Sequence, residues 1–167
     1  MKIDDFCSRL KSDLAAKGSL AERLEYAAGT ISRVFRVKED EVALFAVQGE
    51  ELHFLWPRRL QNAGTIPLSS SSSLAARTAV EGKAFINNAF AATPHLFIFE
   101  AVPVAERQER QIQKIVSVPI HGEAGVVGVL QLSRKGSGPE IAGPDFTQPE
   151  QAALAKIADT LSDTVVA

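Results

Sequence analysis

The sequence predicts an α+β domain built on an antiparallel sheet. Three observations carry this reading. Amphipathic helical patterns occupy both ends of the chain, period-two alternation fills stretches between them, and the strongest alternating stretch turns back on itself around glycines. That stretch is Lys114 to Arg134, KIVSVPIHGEAGVVGVLQLSR. Val116, Val118 and Ile120 alternate with Ser117 and His121, a turn follows over Gly122 to Gly125, and a second run returns. Its pattern puts Val127 and Val129 on one face and Val126, Leu130 and Leu132 on the other. Valine on both faces predicts a hairpin at the centre of the sheet, buried on one side and partly on the other.

The other elements follow in chain order. Ile3, Phe6, Cys7, Leu10 and Leu14 fall at helical spacing with charges between them. Gly18 ends that helix, and Ser19-x-x-Glu22 reads as a capping box for a second helix. Leu20, Leu24, Ala27, Ala28, Ile31 and Phe35 form its apolar stripe, ending near Val37. Glu41 to Gln48 reads as a strand, Gly49 to Glu51 as a turn, and Leu52 to Trp56 as the returning strand, which Pro57 stops because it has no N–H to donate. Arg58 to Asn62 is a polar connection, and Ile66 to Leu68 a short extended piece. The serines 69–73 are expected to cap a helix over Leu74 to Glu81, closed by Gly82. Ala84 to Asn87 is a short strand, and residues 89–111 lack regular periodicity. Lys135 to Asp145 is a Gly- and Pro-rich loop, and Thr147-x-x-Glu150 caps one last helix with Leu154, Ile157, Ala158, Leu161 and Val165 on its apolar face.

Length and composition bound the possibilities. At 167 residues the chain fits one domain with a full core. Its net charge of −2, without a long basic run, lacks the electrostatic footprint of a nucleic-acid partner. No apolar run approaches the roughly 20 residues of a membrane span, and the start MKIDDFCSRLKSDL has acids among its first residues and no secretory h-region. Cys7 is the single cysteine, which excludes an internal disulfide and a cysteine-rich zinc site and points to a reducing, cytoplasmic location. No G-x-S-x-G, H-E-x-x-H, P-loop or G-x-G-x-x-G occurs, and His53, His95 and His121 are dispersed without metal spacing. A non-catalytic protein is expected.

Three stretches resemble a known family. IPLSSSSSLAARTAVEGKAFINN (66–88) ends a helix before a G-K-x-φ-x-φ strand. IVSVPIHGEAGVVGVLQLSRKG (115–136) contains φ-x-φ-P-φ followed by G-φ-φ-G-φ-φ-Q-φ. FTQPEQAALAKIADTLSDTV (146–165) opens the last helix with F-T-x-x-E. In this order they resemble a GAF domain, over nearly the whole chain from Ser19 to Val165, with residues 1–18 an extra N-terminal helix on a 19–167 core. The resemblance implies a sheet of about six antiparallel strands, terminal helices packed on one face, and a loop-covered ligand pocket on the other. It also implies a sensory role, since family members bind cyclic nucleotides, haem, bilins or small metabolites.

Residue matching narrows these classes. The cyclic-nucleotide pattern of Asn-Lys and then Phe-x-x-x-Asp-Glu meets Arg134-Lys135, Phe146 and Glu150-Gln151, where the Asn and both acids depart and a structural role fits better. Bilin attachment needs a cysteine near the pocket, and Cys7 lies on the first helix. The family's free-methionine-sulfoxide reductases use several cysteines, and one cannot be both nucleophile and resolving partner.

The candidate ligand-binding residues are Asn87, Asn88, His95, Phe97, Phe99 and Ser117. Phe97 and Phe99 could stack on a planar or apolar ligand, or simply fill the core; His95 could hydrogen-bond it or ligate haem. The Asn87 and Asn88 amides could read a polar ligand or form a turn. Ser117, with Pro119, interrupts an otherwise apolar sheet face where a pocket floor would lie, and an edge distortion at Pro119 predicts the same residues. Phe6, Leu10 and Leu14, with Leu154, Leu161 and Val165, are candidates for a homodimer surface, because the apolar stripe of the first helix must be covered; packing back on the chain's own sheet would cover it too. The expected function is a small-molecule sensor whose ligand shifts loop 89–111 and the terminal helices, with a separate output protein as partner. A structural dimerisation module with a self-filled pocket is the alternative.

Overall fold

The computed structural model describes residues 2–92 and 111–166, so His95, Phe97 and Phe99 lie outside the described residues. Two helices come first, α1 (Ile3–Ala15) and α2 (Leu20–Phe35), followed by strands β1 (Val42–Gln48) and β2 (Glu51–Trp56). A one-turn helix (Arg58–Leu60) leads to β3 (Thr65–Pro67), α3 (Leu74–Glu81) and β4 (Phe85–Asn87). Two other such turns lie at Glu39–Glu41, before β1, and at Phe90–Ala92. Then come β5 (Ile112–Gly122), β6 (Gly125–Lys135), the short α4 (Pro139–Ala142), α5 (Gln148–Asp159) and α6 (Ser162–Val166). The six strands form one sheet in the order β3-β2-β1-β6-β5-β4, and every neighbouring pair is antiparallel.

The end signals act as their side chains dictate. Ser19 Oγ accepts the Glu22 N–H at 3.2 Å and Ser73 Oγ the Ala76 N–H at 3.1 Å, so the last of the five serines starts α3. Gly82 closes α3 at φ 63°, a backbone shape that glycine adopts without a Cβ penalty. At α5 the box is reciprocal: Thr147 Oγ1 accepts from Glu150 N–H, and Glu150 Oε1 accepts from Thr147 N–H.

Each face of the sheet carries its own core. Helices α1, α2, α5 and α6 cover one face, where Leu24, Ala28 and Ile31 of α2 meet Val42 and Leu44 of β1, Val116, Val118 and Ile120 of β5, and Leu130 and Leu132 of β6. On the other face Ala75 and Ala76 of α3, Leu60 and Phe90 of two of the turns meet Ala43, Phe45, Phe54, Ile115 and Val129. The connection after Pro57 thus contributes a core residue, Leu60, which is fully buried.

Four expectations are corrected. The stretch Lys135 to Asp145, expected as a loop, ends β6 at Lys135 and holds the short α4, whose Pro139 sits in the first turn where its missing N–H costs nothing. Three more concern packing and register. Leu10, Leu14, Leu154, Leu161 and Val165 are all at most 6% exposed within a single protomer, and Phe6 packs against the same cluster. The stripe expected to dimerise is therefore consumed by α1 folding back on the chain's own helices. Second, the last helix is two helices. Thr160 and Leu161 donate their N–H groups to Ile157 and Ala158, three residues back, and the Thr160 hydroxyl also bonds Ile157 O at 2.6 Å, which ends α5. Third, Val127 joins the helix-side core rather than sharing a face with Val129. Ile120 pairs with Gly128 and His121 with Val126, so the hairpin has a bulge at Val127 that reverses the faces beyond it.

Candidate functional site

The two faces of the central hairpin differ in chemistry. On the helix side β5 and β6 present only aliphatic groups near their middle: Val116, Val118, Ile120, Leu130 and Leu132. On the other side the cross-strand pairs are Ser117 with Gln131 and Ile115 with Ser133, while Phe85 and Asn87 of β4 pair with Ser117 and Ile115. Ser117 and Ser133 are 0% exposed, Gln131 3%, and Thr78 of the overlying α3 0%. Buried polar groups on a sheet face cost stability unless partnered, so their connections decide what the face can do.

Those connections run in one direction. Thr78 Oγ1 donates its proton to Leu74 O at 2.8 Å. Ser117 must therefore donate to Thr78 Oγ1 at 2.7 Å, and Ser117 Oγ accepts from Gln131 Nε2 at 3.1 Å. The chain of donors is Gln131, Ser117, Thr78, Leu74 carbonyl, and it clamps α3 to the sheet. Ser133 Oγ donates separately to Glu41 O at 3.3 Å. At the rim, the Arg77 guanidinium lies 4.3 Å over the Phe85 ring and pairs with Glu81.

The sequence-predicted residues fall as follows. Ser117 is at the middle of this floor. Asn87 sits at its β4 edge, with Oδ1 accepting the Ala89 N–H at 2.9 Å. Asn88 turns away: its amide donates to Phe146 O at 3.1 Å and accepts from Phe146 N–H at 2.9 Å, tying the end of β4 to the entry of α5. Sequence reasoning missed Thr78 and Gln131 as site residues. A signal for Gln131 was present, because Val129, Gln131 and Ser133 alternate against Leu130 and Leu132.

The positions matched against the cyclic-nucleotide pattern do structural work. Arg134, buried, donates to Phe35 O at 2.9 Å and Pro144 O at 2.8 Å and lies 4.2 Å over the Phe146 ring, while Glu150 caps α5. Cys7 packs half-buried on the helix side of the sheet, away from Ser117, and burial followed by the nearby Asp4 pushes its thiol pKa up. His121 is exposed and pairs with Asp159 at 3.1 Å. Among the described residues no group of three or more His, Cys, Asp or Glu is placed to hold a metal, and no helix is long and apolar enough to cross a membrane. A cleft of about 580 Å³ at the β3 edge is lined by Glu50, Glu51 and Ser69, all exposed, and lacks the buried polar cluster of the floor.

No protein-family model matches the chain, and no curated protein matches it. Solved structures do. The GAF domain of an Acinetobacter phosphoenolpyruvate-protein phosphotransferase superposes with a TM-score of 0.72 at 14% identity, covering 99% of this chain and 95% of that one. A second, from a Coxiella burnetii phosphoenolpyruvate-protein phosphotransferase, gives 0.73 at 12%, covering 98% and 92%. This chain has the GAF fold. The GAF-fold likeness extends to the free methionine-R-sulfoxide reductase of Neisseria meningitidis, solved with its substrate, at a TM-score of 0.66 and 15% identity over 98% of this chain and 88% of that one. The six-stranded antiparallel sheet with helices on its faces agrees with the GAF architecture expected from the sequence.

Proposed function

We propose that this GAF-fold chain is a non-catalytic small-molecule sensor whose ligand lies against the α3 side of the sheet, over Ser117, Gln131 and Asn87. The observation that carries this is the asymmetry of the central hairpin. The same two strands present aliphatic groups to the helices and a hydroxyl–amide chain to α3. A face meant only for packing gains from aliphatic groups there too, whereas a few converging polar groups in an apolar surround are what a ligand site needs.

The non-catalytic part is supported by the single cysteine, which is on the opposite side of the sheet with a raised pKa and so is a poor thiolate at neutral pH. Ligand binding would bias the position of α3 through Thr78 and reach a separate output protein from there. The homodimer expected from the sequence, if it forms, uses the solvent-facing sides of the terminal helices, since their apolar stripes are already covered.

A second reading is favoured by the near-complete burial of Ser117 and Thr78: a structural module whose pocket is closed by the chain itself. A thermal-shift screen against nucleotides, haem and common metabolites, with native mass recorded alongside, separates the two. A ligand at 100 times its Kd adds about 2.7 kcal/mol, which reads as a raised Tm. A flat screen would overturn the sensor reading in favour of the closed module. A native mass of one chain would remove the homodimer.

A further inference from the structure

We propose that the ligand is read by the Gln131 amide and is a neutral molecule carrying a hydrogen-bond donor beside an acceptor, as a carboxamide, a lactam or a nucleobase edge does. This deepens the sensing reading and rests on it.

The hydroxyl chain fixes which way round the amide sits. Because Thr78 spends its proton on Leu74 O, Ser117 spends its own on Thr78, and only the nitrogen end of Gln131 can face Ser117. One amide N–H is thereby used. Among the described residues the one side-chain bond of Gln131 is that to Ser117, which leaves its other N–H and Oε1 for a further partner on a residue 3% exposed. An acceptor and a donor held side by side on one plane pair best with a group that offers the same two in reverse order.

Charge excludes the obvious alternatives. The apolar neighbours of Gln131 on this face are Ala43, Phe45, Ile115 and Val129. Lys114, Arg134 and Lys135, the cations of β5 and β6, belong to the open end of the hairpin, where the first two donate to Gly143 O, Asp145, Pro144 O and Phe35 O and Lys135 donates to Asp40 O. Arg77 is committed to Phe85 and Glu81 at the rim. Among the described residues, a carboxylate or phosphate at Gln131 would thus be buried without a counter-charge, a heavy cost. A neutral amide edge on a flat ring meets both the free amide atoms and the apolar surround.

The test is a titration of the ¹⁵N-labelled protein with two matched pairs, nicotinamide against nicotinate and uracil against orotate. It follows the Gln131 side-chain NH₂ resonance, assigned by through-bond spectra. The neutral member of a pair is expected to bind and shift that resonance. Gln131→Met, with similar volume and no amide, should weaken its binding about tenfold or more; its melting curve reports whether it folds, and the wild-type titration stands without it. Preference for the charged member, or neutral binding that leaves the resonance unmoved, would overturn the proposal. So would a wider screen that yields only ligands silent at Gln131, which would leave the sensing reading intact. A screen with no ligand at all would overturn both.

Discussion

Lys114 and Arg134 stand opposite each other across β5 and β6, and they reach consecutive carbonyls of one loop, Gly143 O at 2.7 Å and Pro144 O at 2.8 Å. Two like charges placed as a direct cross-strand pair repel. Here the repulsion is offset by what surrounds them: Asp145 lies 2.8 Å from Lys114 Nζ, Glu150 lies 3.7 Å from Arg134, and the guanidinium stacks on Phe146. The loop before α5 is held by this pair rather than by regular structure. Its path brings Phe146 to Asn88, so the entry of α5 and the end of β4 are fixed together.

Arg134→Lys should therefore be costly despite keeping the charge. A single ammonium cannot reach both Phe35 O and Pro144 O in the fixed fork that the guanidinium provides, and it loses the planar stack. A loss of about 2 kcal/mol is expected from two hydrogen bonds to a charged donor, one buried and one partly buried. Urea denaturation reads it as a lower midpoint at unchanged slope. A change within about 0.5 kcal/mol, the range of ordinary surface substitutions, would show that the loop is held by something else.

Gly128 sets how closely the C-terminal helix approaches the sheet. A Cβ built there would lie 2.4 Å from Phe45 O and 2.9 Å from Val165 Cγ1. The first contact is with backbone in the middle of β1, so the sheet itself would have to move. Gly128→Ala is expected to destabilise by about 3 kcal/mol, at the upper end of overpacking costs. Gly18→Ala, with nothing within 4 Å of the added carbon, serves as the matched control and should change little. Equal melting temperatures for the two variants would refute the close-approach account.

Helices α1, α2, α3 and the start of α5, the β1–β2 and β5–β6 hairpins and the capping residues were legible in the sequence because each is a local pattern: Ser73, Gly82 and Thr147 act within three or four residues of themselves, whereas α4 and the break between α5 and α6 were not. What was not legible depends on register and distance. The bulge that puts Val127 on the helix side comes from pairing Ile120 with Gly128, a relation between strands that alternation along one strand does not contain. The burial of the α1 stripe depends on α5, well over a hundred residues away, as well as on the adjacent α2, so the same stripe read equally well as a dimer surface. At the site, Ser117 stood out by interrupting an apolar strand. Thr78 did not, because a threonine in a short helix signals nothing until the helix lies across the sheet.

Two groups make the fold sensitive to alkali in the same direction. The Tyr26 hydroxyl donates to Asp13 Oδ2 at 2.7 Å, and that bond, followed by burial, raises its pKa above the ordinary 10.0. Burial raises Cys7 above the ordinary 9.0. A raised folded pKa means the unfolded chain gives up the proton first. The stability linked to each group is therefore fully present below its ordinary value and is lost as pH rises through the folded one. Melting temperature should fall from about pH 9 upward for Cys7 and beyond pH 10 for Tyr26. Tyr26→Phe should flatten the upper part of that profile while lowering stability at pH 7. A Tyr26→Phe profile parallel to wild type would show that the Asp13 bond is not the cause.

The hydroxyl chain under α3 makes a quantitative prediction of its own. Ser117→Ala strands a buried Gln131 N–H and removes the donor to Thr78, at a cost of about 2 kcal/mol. Thr78→Val keeps the shape of the side chain but strands the Ser117 proton, at a cost of about 1 kcal/mol. Because both variants break the same 2.7 Å bond, the double variant should cost less than the two single losses added together. An interaction of about 1 kcal/mol is expected for two residues in one buried network. Additive losses would mean that Thr78 and Ser117 do not act on each other, and α3 would then be held to the sheet by apolar packing around Ala75 and Ala76 and by Arg77 on Phe85 rather than by the chain that a ligand at Gln131 could pull on.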